Sequence, residues 1–124
     1  MIDFNQEDIS DLLDKIFCGV TIKQWERFQK KSFHLPMSFE SEGFIHCCLF
    51  DQLKHVSEKH FKEDKYNLLV MNKSLGELLI YEGEGELFPH LYRKINKLEV
   101  VKVIHILRVD QASFKVLAIE EIDV

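Results

Sequence analysis

Two histidines sit in apolar company. His46 lies within Gly43-Phe44-Ile45-His46-Cys47-Cys48, and His90 within Phe88-Pro89-His90-Leu91-Tyr92. An imidazole in such a place can donate to a phosphate, or act as acid or base near neutral pH. On a strand, alternation puts Ile45 and Cys47 on the face opposite His46, which shares its own face with Phe44 and Cys48. Two readings stand for His46: an imidazole satisfied by backbone hydrogen bonds, or one facing a cleft. His90 follows a proline whose fixed φ stiffens the approach to it. In an extended segment Tyr92 lies on the face of His90, where the pair can stack on a base and hydrogen-bond a ribose or phosphate, or simply pack at a strand end.

Three further groups bear on the same chemistry. Glu82 ends an apolar stretch, where a carboxylate can hold ribose hydroxyls or a histidine proton; a solvated strand end beside Glu84 and Glu86 is the alternative. Arg93 is by charge and position a phosphate contact, or a surface arginine. Trp25 has the spacing of a core residue. The thiols point elsewhere than to a metal: Cys47 and Cys48 are adjacent, so a strand turns them opposite ways, and zinc would need His34, His46, Cys48 and His90 to converge. A redox centre of the Cys-x-x-Cys kind is absent from the sequence. His55, His60 and His105 have no partner motif and read as structural or solvent-facing.

The elements that must position these groups follow from periodicity. Phe4, Ile9, Leu12 and Leu13 give a short helix over residues 4 to 13, capped by Asn5 or Asp3,. Ile16 to Val20 reads as a buried strand. Thr21 then caps a helix, carried by Ile22, Trp25 and Phe28, that runs to about Lys31. His34 to Glu42 reads as a loop, and Gly43 to Cys48 as one strand. The spacing of Leu49/Phe50, Leu53, Val56 and His60/Phe61 predicts an amphipathic helix. Tyr66 to Met71 is a continuous buried-type strand. Leu78 to Glu82 is another, closed by Gly83-Glu84-Gly85, and Phe88 to Tyr92 follows, with Pro89 excluded from a central ladder position. Val100 to Val109 and Phe114 to Ile122 form the last two strands, joined by a turn at Asp110-Gln111. This mixture predicts an α+β fold.

Length and charge bound the rest. A chain of 124 residues predicts one domain over 1–124, with an accessory helix in 1–14, a core in 15–105 and a C-terminal strand in 106–124,. A net charge of −5 excludes the basic footprint of a duplex-binding protein,. No apolar run approaches the roughly 18 residues of a membrane span, and the acidic start is unlike a secretory signal. Three cysteines, an odd number, suit reduced thiols in the cytoplasm,.

In order along the chain, Ile16-Phe17 followed by Trp25, then Gly43-Phe44-Ile45-His46-Cys47, Glu82, and Phe88-Pro89-His90-Leu91-Tyr92 resemble the bacterial and plant family called domain of unknown function 952. The resemblance spans roughly residues 15 to 105, and its two short motifs lie 44 residues apart from His46 to His90. It implies a fold similar to the ADP-ribosyltransferase superfamily, which includes RNA 2′-phosphotransferases that use NAD. A split, curved β-sheet with two or three flanking helices would then form a cleft. The resemblance implies His46, His90 and Glu82 as catalytic groups, with Tyr92, Arg93 and Cys18 against a cofactor, NAD. Three positions depart from the pattern. Cys18 stands where such transferases carry histidine, Cys48 stands where the family usually has serine, and Arg93 stands where it often has glycine.

The function expected is an uncharacterised domain with a cleft for a nucleotide or another phosphorylated small molecule. The alternatives are a non-catalytic ligand-binding or regulatory domain, and a two-histidine phosphoesterase. The last uses His-x-Ser/Thr motifs, whereas here the motifs read His-Cys-Cys and His-Leu-Tyr.

Overall fold

The computed structural model describes residues 2–122; the outermost ends of the N-terminal and C-terminal segments, Met1, Asp123 and Val124, lie outside the described residues. The chain runs β1 (Ile2–Asp3), α1 (Gln6–Leu12), β2 (Lys15–Thr21), α2 (Ile22–Lys31), β3 (Phe33–His34), α3 (Phe39–Glu42), β4 (Ile45–His46) and β5 (Cys48–Leu49). A 3-10 turn over Phe50–Gln52 leads into α4 (Leu53–His60). Then come β6 (Lys65–Asn72), β7 (Leu79–Glu82), β8 (Phe88–Leu91), β9 (Ile95–Asn96), a second 3-10 turn over Lys97–Glu99, β10 (Val100–Asp110) and β11 (Ser113–Glu121). The fold is α+β, with a curled half-barrel sheet and few helices.

A six-stranded sheet in the order β1-β11-β10-β6-β2-β5 forms the frame, antiparallel except for β1 beside β11. Its two faces bury different sets of side chains, as period-2 alternation demands. Ile16, Cys18, Val20, Leu69, Met71 and Val103 point to one core, which Phe28 of α2 and Ile45, Leu91 and Ile95 complete. Phe17, Leu68, Val70, Ile104 and Ile106 point to the other, closed by Leu12 of α1 and Leu53 of α4. Burial on both faces explains why Tyr66 to Met71 is an unbroken apolar run apart from Asn67,.

The helix boundaries follow local chemistry. Asn5 caps α1 by accepting from the Glu7 N–H at 3.0 Å. Thr21 caps α2 in a reciprocal box: its hydroxyl accepts from Gln24 N–H at 3.1 Å, while the Gln24 amide oxygen accepts from Thr21 N–H at 2.9 Å,.

Three sequence expectations need correction. Residues 34 to 42 are not wholly loop, because His34 pairs with Ile95 in a small two-stranded sheet and 39–42 form the single turn α3. The segment from Gly43 to Cys48 is not one strand. It breaks at Cys47, so that β4 belongs to a three-stranded sheet, β4-β8-β7, while β5 pairs with β2 in the larger sheet. Cys48 therefore turns into the second core rather than sharing the face of His46. Pro89 does sit in a central strand, β8. Its carbonyl accepts from Cys47 N–H at 3.0 Å, so its ring nitrogen faces the same edge and cannot return the bond,. The β4 ladder ends where that donor is missing.

Gly19 of β2 is required by a close approach. A Cβ there would lie 1.7 Å from a ring carbon of Phe61, which lies against β2 and stacks on Tyr66 with centroids 4.4 Å apart. Gly19→Ala is expected to cost about 1–3 kcal/mol in urea unfolding by displacing that ring. Combined with Phe61→Ala, which removes the clashing ring, the two losses are expected not to add.

Candidate functional site

The three-stranded sheet brings the two histidine motifs together. His46 and His90 are direct register partners across β4 and β8, and their rings meet edge to face with centroids 5.3 Å apart. Phe44 ties the group together: it stacks on His90 at 4.0 Å with planes 15° apart, and also meets His46 at 4.8 Å and Tyr92 at 5.3 Å.

Each imidazole has its own carboxylate. Glu82, a diagonal neighbour of His90 across β7 and β8, receives His90 Nδ1 at 2.9 Å and also the Tyr92 hydroxyl. These two donors, Tyr92 first, hold the Glu82 carboxyl below its ordinary value of 4.5; the same contact raises the Tyr92 phenol above 10,. An ionised Glu82 requires the proton of neutral His90 to sit on Nδ1, which leaves Nε2 as the basic nitrogen. His46 pairs with Glu42 through Nε2, leaving Nδ1. Gly43 makes that second pair, since it ends α3 in the left-handed region at φ 82, open to glycine, and the chain then enters β4,.

A cavity of about 470 Å³ adjoins these groups. Its apolar walls are Phe17 and Gly19 of β2, Val56 of α4, Phe61 and Phe88, with Cys47 and Cys48 alongside. Its polar groups are Glu42, His46, His60 and His90. Burial, with His46 and then Lys59 nearby, holds His60 below its ordinary value of 6.5. The loop between β7 and β8 is fastened to this wall by the buried Gln52, whose amide donates to Leu87 O at 2.8 Å.

The structure thus brings together His46, Glu82, His90 and Tyr92, and leaves two sequence candidates elsewhere. Arg93 makes a two-toothed pair with Glu99 at 2.7 and 2.6 Å and donates to Leu75 O at 2.7 Å, so its guanidinium is committed. Cys18 points into the first core against Cys47 and beside His34, and does not line the cavity. Sequence reasoning passed over Glu42, His60, Phe61 and Gly19. His60 follows Val56 at helical spacing, the one signal that put it on the cavity side of α4. Among the described residues no group of three or more His, Cys, Asp or Glu side chains is placed to hold a metal ion. Nor is any described helix long and apolar enough to cross a membrane.

The family model described as protein of unknown function DUF952 matches residues 19–103. The crystal structure of protein CC0527 from Caulobacter crescentus is similar, at 26% identity and a TM-score of 0.73, over 79% of this chain and 91% of that one. The solution structure of the same bacterial protein, at 24% identity and a TM-score of 0.69, covers 80% and 90% and shows a like fold. Both are structural genomics targets. No curated protein matches the chain.

Proposed function

The chain belongs to the DUF952 family, and on that premise we propose that its cleft binds a nucleotide-like or otherwise phosphorylated small molecule and poises it for acid–base chemistry. One observation carries the reading. Glu82 takes His90 Nδ1 and the Tyr92 hydroxyl together, so the His90 imidazole is oriented with Nε2 left for the cavity. A carboxylate that fixes a histidine tautomer at the wall of a cavity is the arrangement of an oriented general base. His46, with its own carboxylate, is the complementary proton donor.

In this reading the base or other planar group of the ligand lies among Phe17, Phe61 and Phe88, and the phosphate or ribose meets His46, His60 and His90 at the polar side,. The cleft beside the Cys47 crossing also supports an ADP-ribosyltransferase-like split sheet with NAD as the ligand. The role that Cys18 would take in such an enzyme passes to the paired histidines, since Cys18 faces the core. Three unbridged cysteines favour a reducing, cytoplasmic setting,.

The withdrawal of Arg93 onto Glu99 favours a second reading, in which the cleft binds without turnover. No lysine or arginine among the described residues lines the cavity, so a transferring phosphate would find only imidazoles,.

Thermal unfolding with NAD, ADP-ribose, nucleotides and sugar phosphates tests the cleft. A ligand at a hundred times its Kd is expected to stabilise the wild type by about 2.7 kcal/mol, a rise of several degrees. His46→Ala and His90→Ala are expected to lose most of that rise. Equal shifts in all three proteins, or no shift with any ligand, would sink the proposal. Turnover of the bound ligand separates the two readings.

A further inference from the structure

We propose that Cys18 and Cys47 form a peroxide-responsive dithiol that closes to an intramolecular disulfide. The placement comes from register. In the antiparallel pairing of β2 with β5, Ile16 faces Leu49 and Phe17 faces Cys48. Continued one step beyond the paired residues, to the crossing at Cys47, the same register sets Cys18 opposite Cys47. Directly opposed residues have Cα atoms about 4.5–5.5 Å apart, inside the range of about 4.4–6.8 Å that a disulfide spans. Both side chains enter the same core cluster, at 2% and 5% exposure, so the sulfurs point to one face rather than away from each other.

The pairing of sulfurs is specific. The third thiol, Cys48, is turned to the opposite core, away from the other two, and burial raises its pKa,. Cys18 lies against Cys47 and beside the buried His34, neighbours that hold the Cys18 thiol below its ordinary range against the effect of burial. The Cys18 sulfur beside it, and then burial, raise the Cys47 thiol. A small oxidant has a route to the pair, because Cys47 lines the cavity.

The chemistry balances with hydrogen peroxide as the oxidant. A thiolate sulfur of the pair attacks one peroxide oxygen; the S–O bond forms, the O–O bond breaks, and the departing hydroxide takes up the proton released by that thiol to leave as water. The second sulfur then attacks the sulfenic sulfur. The S–S bond forms, the S–O bond breaks, and hydroxide leaves as water with the second thiol's proton. Two thiols are oxidised by two electrons in all, and one peroxide is reduced to two waters. The bond fastens the segment that carries His46 to β2. Its readout is separate from ligand binding, so it stands or falls independently of the cleft proposal.

The test is mild peroxide treatment of the folded protein, followed by denaturation, thiol counting and intact mass. The expected result is a chain lighter by two hydrogens with a single titratable thiol, a proteolytic fragment joining Cys18 to Cys47, and full reversal by dithiothreitol. Cys48→Ala is expected to leave the crosslink intact, and Cys18→Val to abolish it. Should Cys18→Val not fold, the peptide map of the wild type decides alone. A bridge that includes Cys48, a disulfide between chains, or three thiols surviving a treatment that oxidises the unfolded chain would each overturn the proposal.

Discussion

Glu82→Gln is expected to bring one tyrosine back toward ordinary titration and to weaken ligand binding by roughly ten- to a hundredfold, the worth of a hydrogen bond to a charged group. The chain has 3 tyrosines, and all are held above 10: Tyr66, to about 12, and Tyr81 chiefly by burial, and Tyr92 chiefly by the Glu82 carboxylate that accepts its hydroxyl. Only the last cause vanishes in the variant. A phenolate absorbance titration of folded protein therefore gains one early-titrating tyrosine in Glu82→Gln and nothing else. If all three still titrate late, the Glu82–Tyr92 bond is not what holds the phenol.

The same replacement changes the pH profile of stability in two windows. Glu82 is held below its ordinary value, so its contribution is present above about 4.5 and is lost as pH falls through the depressed folded value,. Tyr92 is raised, so its contribution is present below 10 and disappears as pH rises through the elevated value,. Urea midpoints measured across both windows are expected to be flatter in the variant at each end. Glu82 is partly solvated, at 39% side-chain exposure, so the change at either end is small,.

Leu91→Ala is expected to be the most destabilising single truncation near the site, at about 3 kcal/mol or roughly a ten-degree fall in melting temperature. Leu91 is fully buried between His90 and Tyr92, and is the register partner of Ile45 on one side and Leu79 on the other. Removing it opens a void at the centre of the three-stranded sheet, and the strand carrying both polar side chains loses its anchor. Leu98→Ala, at a position 72% exposed, is expected to change stability by less than about 0.5 kcal/mol,. Comparable losses at the two positions would contradict the burial pattern of β8.

Local signals made much of this architecture readable from the sequence. Thr21 and Gln24 announce the start of α2 because a capping box needs only four consecutive residues,. The run from Tyr66 to Met71 reads as doubly covered because both faces must be apolar. The break at Cys47 was not readable. Nothing in Ile45-His46-Cys47-Cys48 marks where one ladder ends, since the cause lies in the missing donor of Pro89, forty-two positions further on. The site divides in the same way. His46 and His90 stand out by composition, while Glu42 and His60 join them through a helix turn and a helix end whose placement is tertiary. Arg93 looked available because sequence does not show that Glu99 lies across from it.

The crossing at Cys47 makes the hexapeptide a spacer held at both ends. Upstream, His46 must meet His90; downstream, Cys48 must meet Phe17; a single residue lies between. Side-chain type at these positions can change with graded cost, as it does in any packed strand. Residue count cannot, because one residue more or fewer would turn either the histidine away from its partner or the following strand inside out. For anyone altering this protein, the stretch is therefore tolerant of spelling and intolerant of length.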